Sequence, residues 1–260
     1  KNIKMRLNSN FNVFTSTNFS PTKYIPSPSN GVNRFLLDRI GTEQARATTI
    51  VQFAPHSTFP KHTHIGGEEF VVLEGTFCDE YGSFPKGTYV RNPIGSAHAP
   101  YVEGDGCVIM VKLLQMADDV GEGTAPLYVH FDDERKESTE YGSVLNMYCN
   151  DQTGERVQMC WVQPNTLFPV DDYAVNGGEE LFVIQGSLQL GGGGEGEDEN
   201  DEYVKWGWLR FPPLTTPPPP PLHRNKLKAG KNAAQIYRKA GHLTSKALSM
   251  EKMQLATLEE

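Results

Sequence analysis

The chain has 260 residues, with 24 Lys and Arg against 32 Asp and Glu, for a formal net charge of −8. That balance excludes a nucleic-acid binder working through bulk positive charge, and 38% hydrophobic with 22% charged residues describes a folded globular protein rather than a disordered or fibrous one. Six of the negative charges, Glu195, Glu197, Asp198, Glu199, Asp201 and Glu202, form one run. From Leu222 onward the chain is locally basic, so any electrostatic steering is regional. No apolar run approaches the roughly 18 residues that cross a bilayer. Cys78, Cys107, Cys149 and Cys160 are widely spaced with no Cys-x-x-Cys pair. They read as reduced and mostly buried, and with no visible signal peptide the expected compartment is the cytoplasm.

Residues 1–30 read as an N-terminal extension packing on the β-rich remainder of the chain. From Ala45 to Lys112 short β-type runs succeed one another, Thr48–Phe53, Phe70–Leu73, Thr88–Arg91 and Cys107–Leu113, separated by turns such as Gly66-Gly67, Tyr81-Gly82, Lys86-Gly87 and Asn92-Pro93. Short strands without helical periodicity between them predict an antiparallel sandwich or barrel.

An internal repeat sets the domain count. Gly66-Gly67-Glu68-Glu69-Phe70-Val71-Val72-Leu73-Glu74-Gly75 recurs as Gly177-Gly178-Glu179-Glu180-Leu181-Phe182-Val183-Ile184-Gln185-Gly186. Upstream, Pro55-x-x-x-Phe59-Pro60 returns as Pro164-x-x-x-Phe168-Pro169. Downstream, Gly87-x-x-x-Arg91-x-Pro93 is echoed by Gly207-x-x-Arg210-x-Pro212, and Cys107–Lys112 by Ala234–Lys239. The expected organisation is a barrel over 31–120, a second over 121–243, and a C-terminal helix over 244–260, where Ser245–Leu258 is rich in helix formers. The second copy carries two low-complexity insertions, Gly191–Glu202 and Pro217–Pro221, expected as exposed loops.

The chemistry concentrates in His62-Thr63-His64-Ile65-Gly66-Gly67-Glu68, followed by His98. Residues two apart on a strand project from one face, so His62 and His64 can present two imidazoles to one point. The Gly-Gly turn then delivers a carboxylate, and a strand carrying His98 across the barrel completes a three-nitrogen, one-oxygen set suited to Zn, Fe(II), Ni or Mn. His56 reads as a loop residue before the pair, His130 and His242 as surface or capping groups, and Cys107 as a buried core thiol. Tyr89, Phe77, Phe70, Val72 and Met110 are candidates for the pocket or core, their facing unresolved without the strand register.

His-x-His-x3-Glu-x6-Gly with a later Gly-x5-Pro-x4-His resembles the two motifs of the cupin superfamily. The stretch Gly31–Gln115 resembles more closely the cupin domain of ChrR-like anti-sigma factors, through Arg46-Ala47-Thr48-Thr49, Gly66-Gly67-Glu68-Glu69, Val72-Leu73-Glu74-Gly75, Asp79-Glu80-Tyr81-Gly82 and Tyr89-Val90-Arg91-Asn92-Pro93. The resemblance implies an all-β fold of two tandem cupin barrels, double-stranded β-helices or jelly rolls, with a short C-terminal helix. It implies His62, His64, Glu68 and His98 as metal ligands; Glu69 is the rival carboxylate, but only Glu68 leaves six residues before Gly75. The helical zinc-binding domain that precedes the cupin in ChrR-like anti-sigma factors has no counterpart in the first thirty residues, so the resemblance does not extend to an anti-sigma role.

In the second copy the positions matching His62 and His64 fall at Asp171–Val175 and contain no histidine, while Glu179 persists and His223 is the candidate match to His98. That barrel is expected to hold no tight metal, with Glu179 in a structural hydrogen bond. The expected function is a metal-binding bicupin that binds a small molecule or uses zinc structurally or as a sensor. The alternative is a non-haem Fe(II) dioxygenase acting on diketone-like or hydroxy-ketone substrates, with Glu68 as candidate catalytic base. Expected partners are a small-molecule ligand and a second copy in a homodimer, with neither nucleic acid nor membrane.

Overall fold

The central β-type runs are buried on both faces, Thr88–Asn92 along its whole length. In a computed structural model, which describes residues 5–42, 44–116, 125–169, 177–191, 201–213, 227–241 and 243, the named elements are strands, apart from a 3-10 turn at Pro21–Lys23. The expected C-terminal helix and the Pro217–Pro221 insertion lie outside the described residues, as do Glu195–Glu199, His223 and His242. The chain forms two units, one centred on Ser20–Asp132 and one on Asp133–Thr244 together with Asn10–Phe19.

In the first unit, β1 (Arg6–Leu7) and β3 (Ile25–Pro26) flank β4 (Val32–Gly41). There follow β5 (Ala45–Phe53), β6 (His62–Thr63), β7 (Glu68–Asp79), β8 (Gly82–Pro85), β9 (Thr88–Asn92), β10 (Ala97–His98), β11 (Cys107–Leu113) and β12 (Leu127–His130). The main sheet runs β1-β4-β5-β11-β7-β9-β12, all antiparallel, and β6 with β10 forms a separate ladder. Val72, Phe70, Ile109, Val111, Val51 and Val90 fill the interior with Phe77 and Phe84. Full burial of such a side chain contributes about 1.5–3 kcal/mol.

The second unit repeats this plan with β13 (Glu137–Thr139), β14 (Gly142–Asn150), β15 (Glu155–Val162), β16 (Glu179–Gln185), β17 (Leu188–Leu190), β18 (Asp201–Tyr203), β19 (Trp208–Phe211), β20 (Leu227–Ala229) and β21 (Ala234–Ala240). Its outer edge is β2 (Thr15–Thr17). The order β13-β14-β15-β21-β16-β19-β2 reproduces the first sheet strand for strand. Leu181, Val183, Leu209 and Ile236 occupy the interior positions of Phe70, Val72, Val90 and Ile109.

The duplication extends to the irregularities. Ladder slips between Ile109 and Val108 on β11 and between Val183 and Gln185 on β16 leave Leu73 and Ile184 as the extra residues. Each slip is followed by a glycine at positive φ, Gly75 at 71° and Gly186 at 79°. A Cβ on Gly75 would meet the carbonyl oxygen of Gly106 at 2.1 Å, and one on Gly186 that of Ala233 at 2.3 Å. Glycine recurs there because another backbone passes where a side chain would stand.

Candidate metal centre

The ladder of β6 and β10 sets His98 directly opposite His62. His98 is thus a cross-strand neighbour of His62, not a group reaching over from the far wall as its distance along the sequence suggested. Backbone bonds from His64 N to Ser96 O (2.8 Å) and from Gly95 N to His64 O (2.9 Å) continue the ladder and bring in His64. The ring centroids of His62, His64 and His98 lie 4.9, 4.9 and 4.7 Å apart, a nearly equilateral triangle. Glu68, first residue of β7, points its Oε2 at this triangle, 3.6 Å from His64 Nε2 and 3.5 Å from His98 Nε2.

One donor atom from each of the four residues lies within 4.8 Å of all the others. Donors held about 2.1 Å from one ion stand roughly 3 to 4.2 Å apart, from adjacent to opposite positions. The set therefore needs only small side-chain rotations to converge on a common centre. Two further observations fit it to a cation. His64 Nε2 and His98 Nε2 are buried with no hydrogen-bond partner, a costly state for a polar atom unless something else meets it. The other nitrogens of two rings are tied back: His62 Nδ1–H donates to Pro60 O at 2.9 Å and His98 Nδ1–H to Asp79 Oδ2 at 2.9 Å. Those bonds fix the tautomer, so the Nε2 lone pairs face inward.

Burial is the main influence on His64 and pulls its pKa below the usual imidazole value, only partly countered by Glu68. At His98 burial again pulls down most strongly, but the Asp79 bond and the charges of Glu68, Asp79 and Glu80 together outweigh it and leave the pKa raised. Asn92 Nδ2 donates to Glu68 Oε2 at 3.0 Å and holds the carboxylate toward the rings.

Glu69, the rival carboxylate, points to the opposite face, where it accepts from Tyr89 Oη (2.8 Å) and pairs with Arg91 (2.9 Å). Tyr89 and Met110 share that face, opposite Val71 in the ladders, whereas Phe70, Val72 and Phe77 are interior. His56 is an exposed turn residue, its backbone N bonded to Glu103 O, away from the cluster. His130 is exposed, with its ring against Lys86 O, and Cys107 is a buried thiol pushed up to about 12. Cys78 and Cys160 are also buried, while Cys149 is exposed.

Asp79 has a role that its place in the sequence, within Asp79-Glu80-Tyr81-Gly82, did not disclose. The β7–β8 hairpin tip grips three consecutive residues of β10 and its C-terminal edge: Asp79 holds the His98 ring, Glu80 Oε2 accepts from Ala99 N (2.7 Å), and Tyr81 Oη donates to Ala97 O (3.1 Å). Asp79 is itself fixed by Tyr81 N at 2.8 Å. The signal available in the sequence was a carboxylate at the tip of a two-residue hairpin.

In the second unit Glu179 is met by Arg238, whose Nε donates to Glu179 Oε1 at 2.6 Å and whose Nη2 donates to Pro169 O at 3.0 Å. Arg238 lies opposite Leu181 as Val111 lies opposite Phe70, so an arginine replaces an interior valine. The guanidinium supplies the positive charge facing the carboxylate, and Glu179 has the structural bond expected of it. The positions Asp171–Val175 lie outside the described residues.

The chain has two units of antiparallel strands, with three imidazoles and a carboxylate gathered in the first, which is the arrangement of a cupin fold. Its residues 14–117 match the ChrR Cupin-like domain. Among solved structures, the chain is similar to protein Ylba from E. coli at 14% identity and a TM-score of 0.60, over 93% of this chain and 95% of that one. It is likewise similar to the 11S globulin from Wrightia tinctoria at 12% identity and a TM-score of 0.57, over 91% and 85%. No curated protein matches the sequence.

Proposed function

We propose that the first barrel holds a divalent metal ion through His62, His64, Glu68 and His98, and uses it to bind a small oxygen-bearing molecule. The observation carrying this reading is the pair of buried, partnerless Nε2 atoms of His64 and His98 converging with Glu68. A cavity of about 390 Å³ adjoins the cluster, and His62, His64, Glu68 and His98 all line it. A divalent ion there would supply Lewis acidity, and one that takes five or six ligands would keep positions beyond these four for an oxygen donor entering from the cavity. That supports a ligand-binding centre over a closed structural zinc site.

Phe59, Phe77, Ile109 and Val111 make the cavity wall predominantly apolar. Exclusion of water by such a wall favours, as a second reading, oxygenation of the bound molecule with Fe(II). Within either reading Glu68 is held by Asn92, and the His62 and His98 rings by Pro60 O and Asp79.

Elemental analysis of the purified protein tests the centre. Near one equivalent of a divalent transition metal is expected, falling by more than half in His62→Ala and in His98→Ala. Undiminished metal in both variants overturns the assignment. Oxygen consumption by Fe(II)-loaded protein with small diketones and hydroxy ketones would select the second reading.

A further inference from the structure

The cavity wall carries, apart from the imidazoles, a buried hydroxyl with no hydrogen-bond partner among the described residues. Thr49 is 3% exposed and lies in the cavity wall, and its Oγ1 is buried without a hydrogen-bond partner. Its neighbour Thr48 faces the other way, taking bonds from Lys112 Nζ (3.0 Å) and Gln115 Nε2 (3.2 Å). Along the ladders Thr49 faces Val111, which faces Phe70, two residues beyond Glu68 on β7. Thr49 therefore sits on the interior face, one layer deeper than the metal cluster. It is separated from β7 by one intervening strand, about 10 Å from backbone to backbone. With both side chains directed inward, a molecule of roughly four to six carbon atoms spans the remainder.

The charge around Thr49 indicates what such a molecule carries. Arg34 faces Val51 on β5, two residues from Thr49 and within reach of a long side chain along the diagonal. Arg34 and Arg39 both line the cavity, and its other described lining residues with titratable side chains are the three histidines and Glu68. Both arginines have further interactions of their own, so only their charge and their place in the wall count here. A hydroxyl donor in an apolar wall beside a cation fits an anionic acceptor.

We infer that the cavity binds a small oxo- or hydroxy-carboxylate: its ketone or hydroxyl oxygen lies at the histidine cluster, its apolar middle against Phe77 and Val111, and its carboxylate accepts a hydrogen bond from Thr49 Oγ1 beside Arg34. This rests on the proposed metal centre for one end of the molecule. Thr49 and Arg34 select the other end, independently of which ion is bound.

Isothermal titration calorimetry of the metal-loaded full chain, with 4-oxopentanoate and its neutral isostere 4-oxopentanamide as probes, tests the inference. The carboxylate is expected to bind at least tenfold more tightly than the amide. Thr49→Val should weaken carboxylate binding about tenfold at unchanged metal content, Thr49→Ser should retain it, and Arg34→Met should abolish the preference for the anion. Equal binding of the two probes, no carboxylate binding at millimolar concentration, or a Thr49→Val protein that binds the carboxylate as the parent does, overturns it. Elemental analysis of the same samples separates the two failures: a protein with its full metal that ignores the carboxylate sinks only this inference, whereas one without metal sinks the centre itself.

Discussion

At the scale of single residues, burial favours the neutral ring of His98 while the Asp79 bond favours its protonated form. His98 is raised above the ordinary imidazole value of 6.5 and His64 is lowered below it. In metal-free protein the favourable protonated His98 contributes stability that is full below about pH 6.5 and is lost as pH rises through its elevated folded value. His64 works in the opposite sense: its fold favours the neutral ring, so stability falls as pH drops below about 6.5 and protons bind preferentially to the unfolded chain. Ring-proton NMR titration of the metal-free protein should show His98 titrating above 6.5 and His64 below it. Asp79→Asn should move His98 downward. The same substitution should weaken metal binding roughly 10- to 100-fold, as loss of a partner that orients a ligand commonly does. Competition with a chromophoric chelator measures that loss, and unchanged affinity would remove Asp79 from the positioning role.

At the scale of elements, the sheet is shaped as much by its irregularities as by its strands. Gly75 combines a φ of 71° with a carbonyl 2.1 Å from where a Cβ would stand, whereas Gly95 has a similar φ of 84° and nothing within 4 Å. Gly75→Ala should therefore destabilise by about 2–5 kcal/mol, from strain plus overpacking. Gly95→Ala should cost only about 1–2 kcal/mol, the left-handed backbone penalty alone. Urea denaturation of the two variants checks the contrast; equal losses would mean that β7 and the Gly106 turn yield freely. The strands were legible where short β-type runs are bounded by turn residues, as in Thr48–Phe53 and Cys107–Leu113. The ten-residue β4 was not: its ladder to β5 slips at Leu36 and Asp38, which changes the side that side chains face midway and blurs the alternation. The same dependence on register hid which of Tyr89, Phe77 and Met110 face inward.

At the scale of the whole molecule, the His-x-His spacing, the glutamate and the later histidine made the candidate centre legible, and the Gly-Gly-Glu-Glu repeat made the duplication so. What replaced the centre in the second barrel was not legible, because nothing in the string of residues around Arg238 shows that it faces Glu179. The divergence has two structural parts. Arg238 takes an interior valine's place, and Leu190 stands where Asp79 stands in the hairpin that grips β10 in the first barrel. Arg238→Met should destabilise the protein by roughly 3–5 kcal/mol, since it buries the Glu179 charge without its guanidinium. The added change Glu179→Gln should recover a substantial part of that loss in chemical denaturation. A double variant as unstable as the single one would mean that Arg238 acts through packing alone.

Arg238 also gives the duplicated halves different relations to their surroundings. Its charge is tethered to the chain and present at fixed stoichiometry, whereas an ion held, as proposed, by His62, His64, Glu68 and His98 would exchange with the medium. The first barrel's stability should therefore rise with free metal, by about 1.4 kcal/mol for each tenfold excess over the dissociation constant. The second should be indifferent to it. Hydrogen exchange in the presence of a chelator is expected to lose protection on β6, β7 and β10 while β16, β19 and β21 keep theirs. On that proposal one half of the chain would respond to metal supply, and the other, built to the same plan, would serve as its constant internal reference.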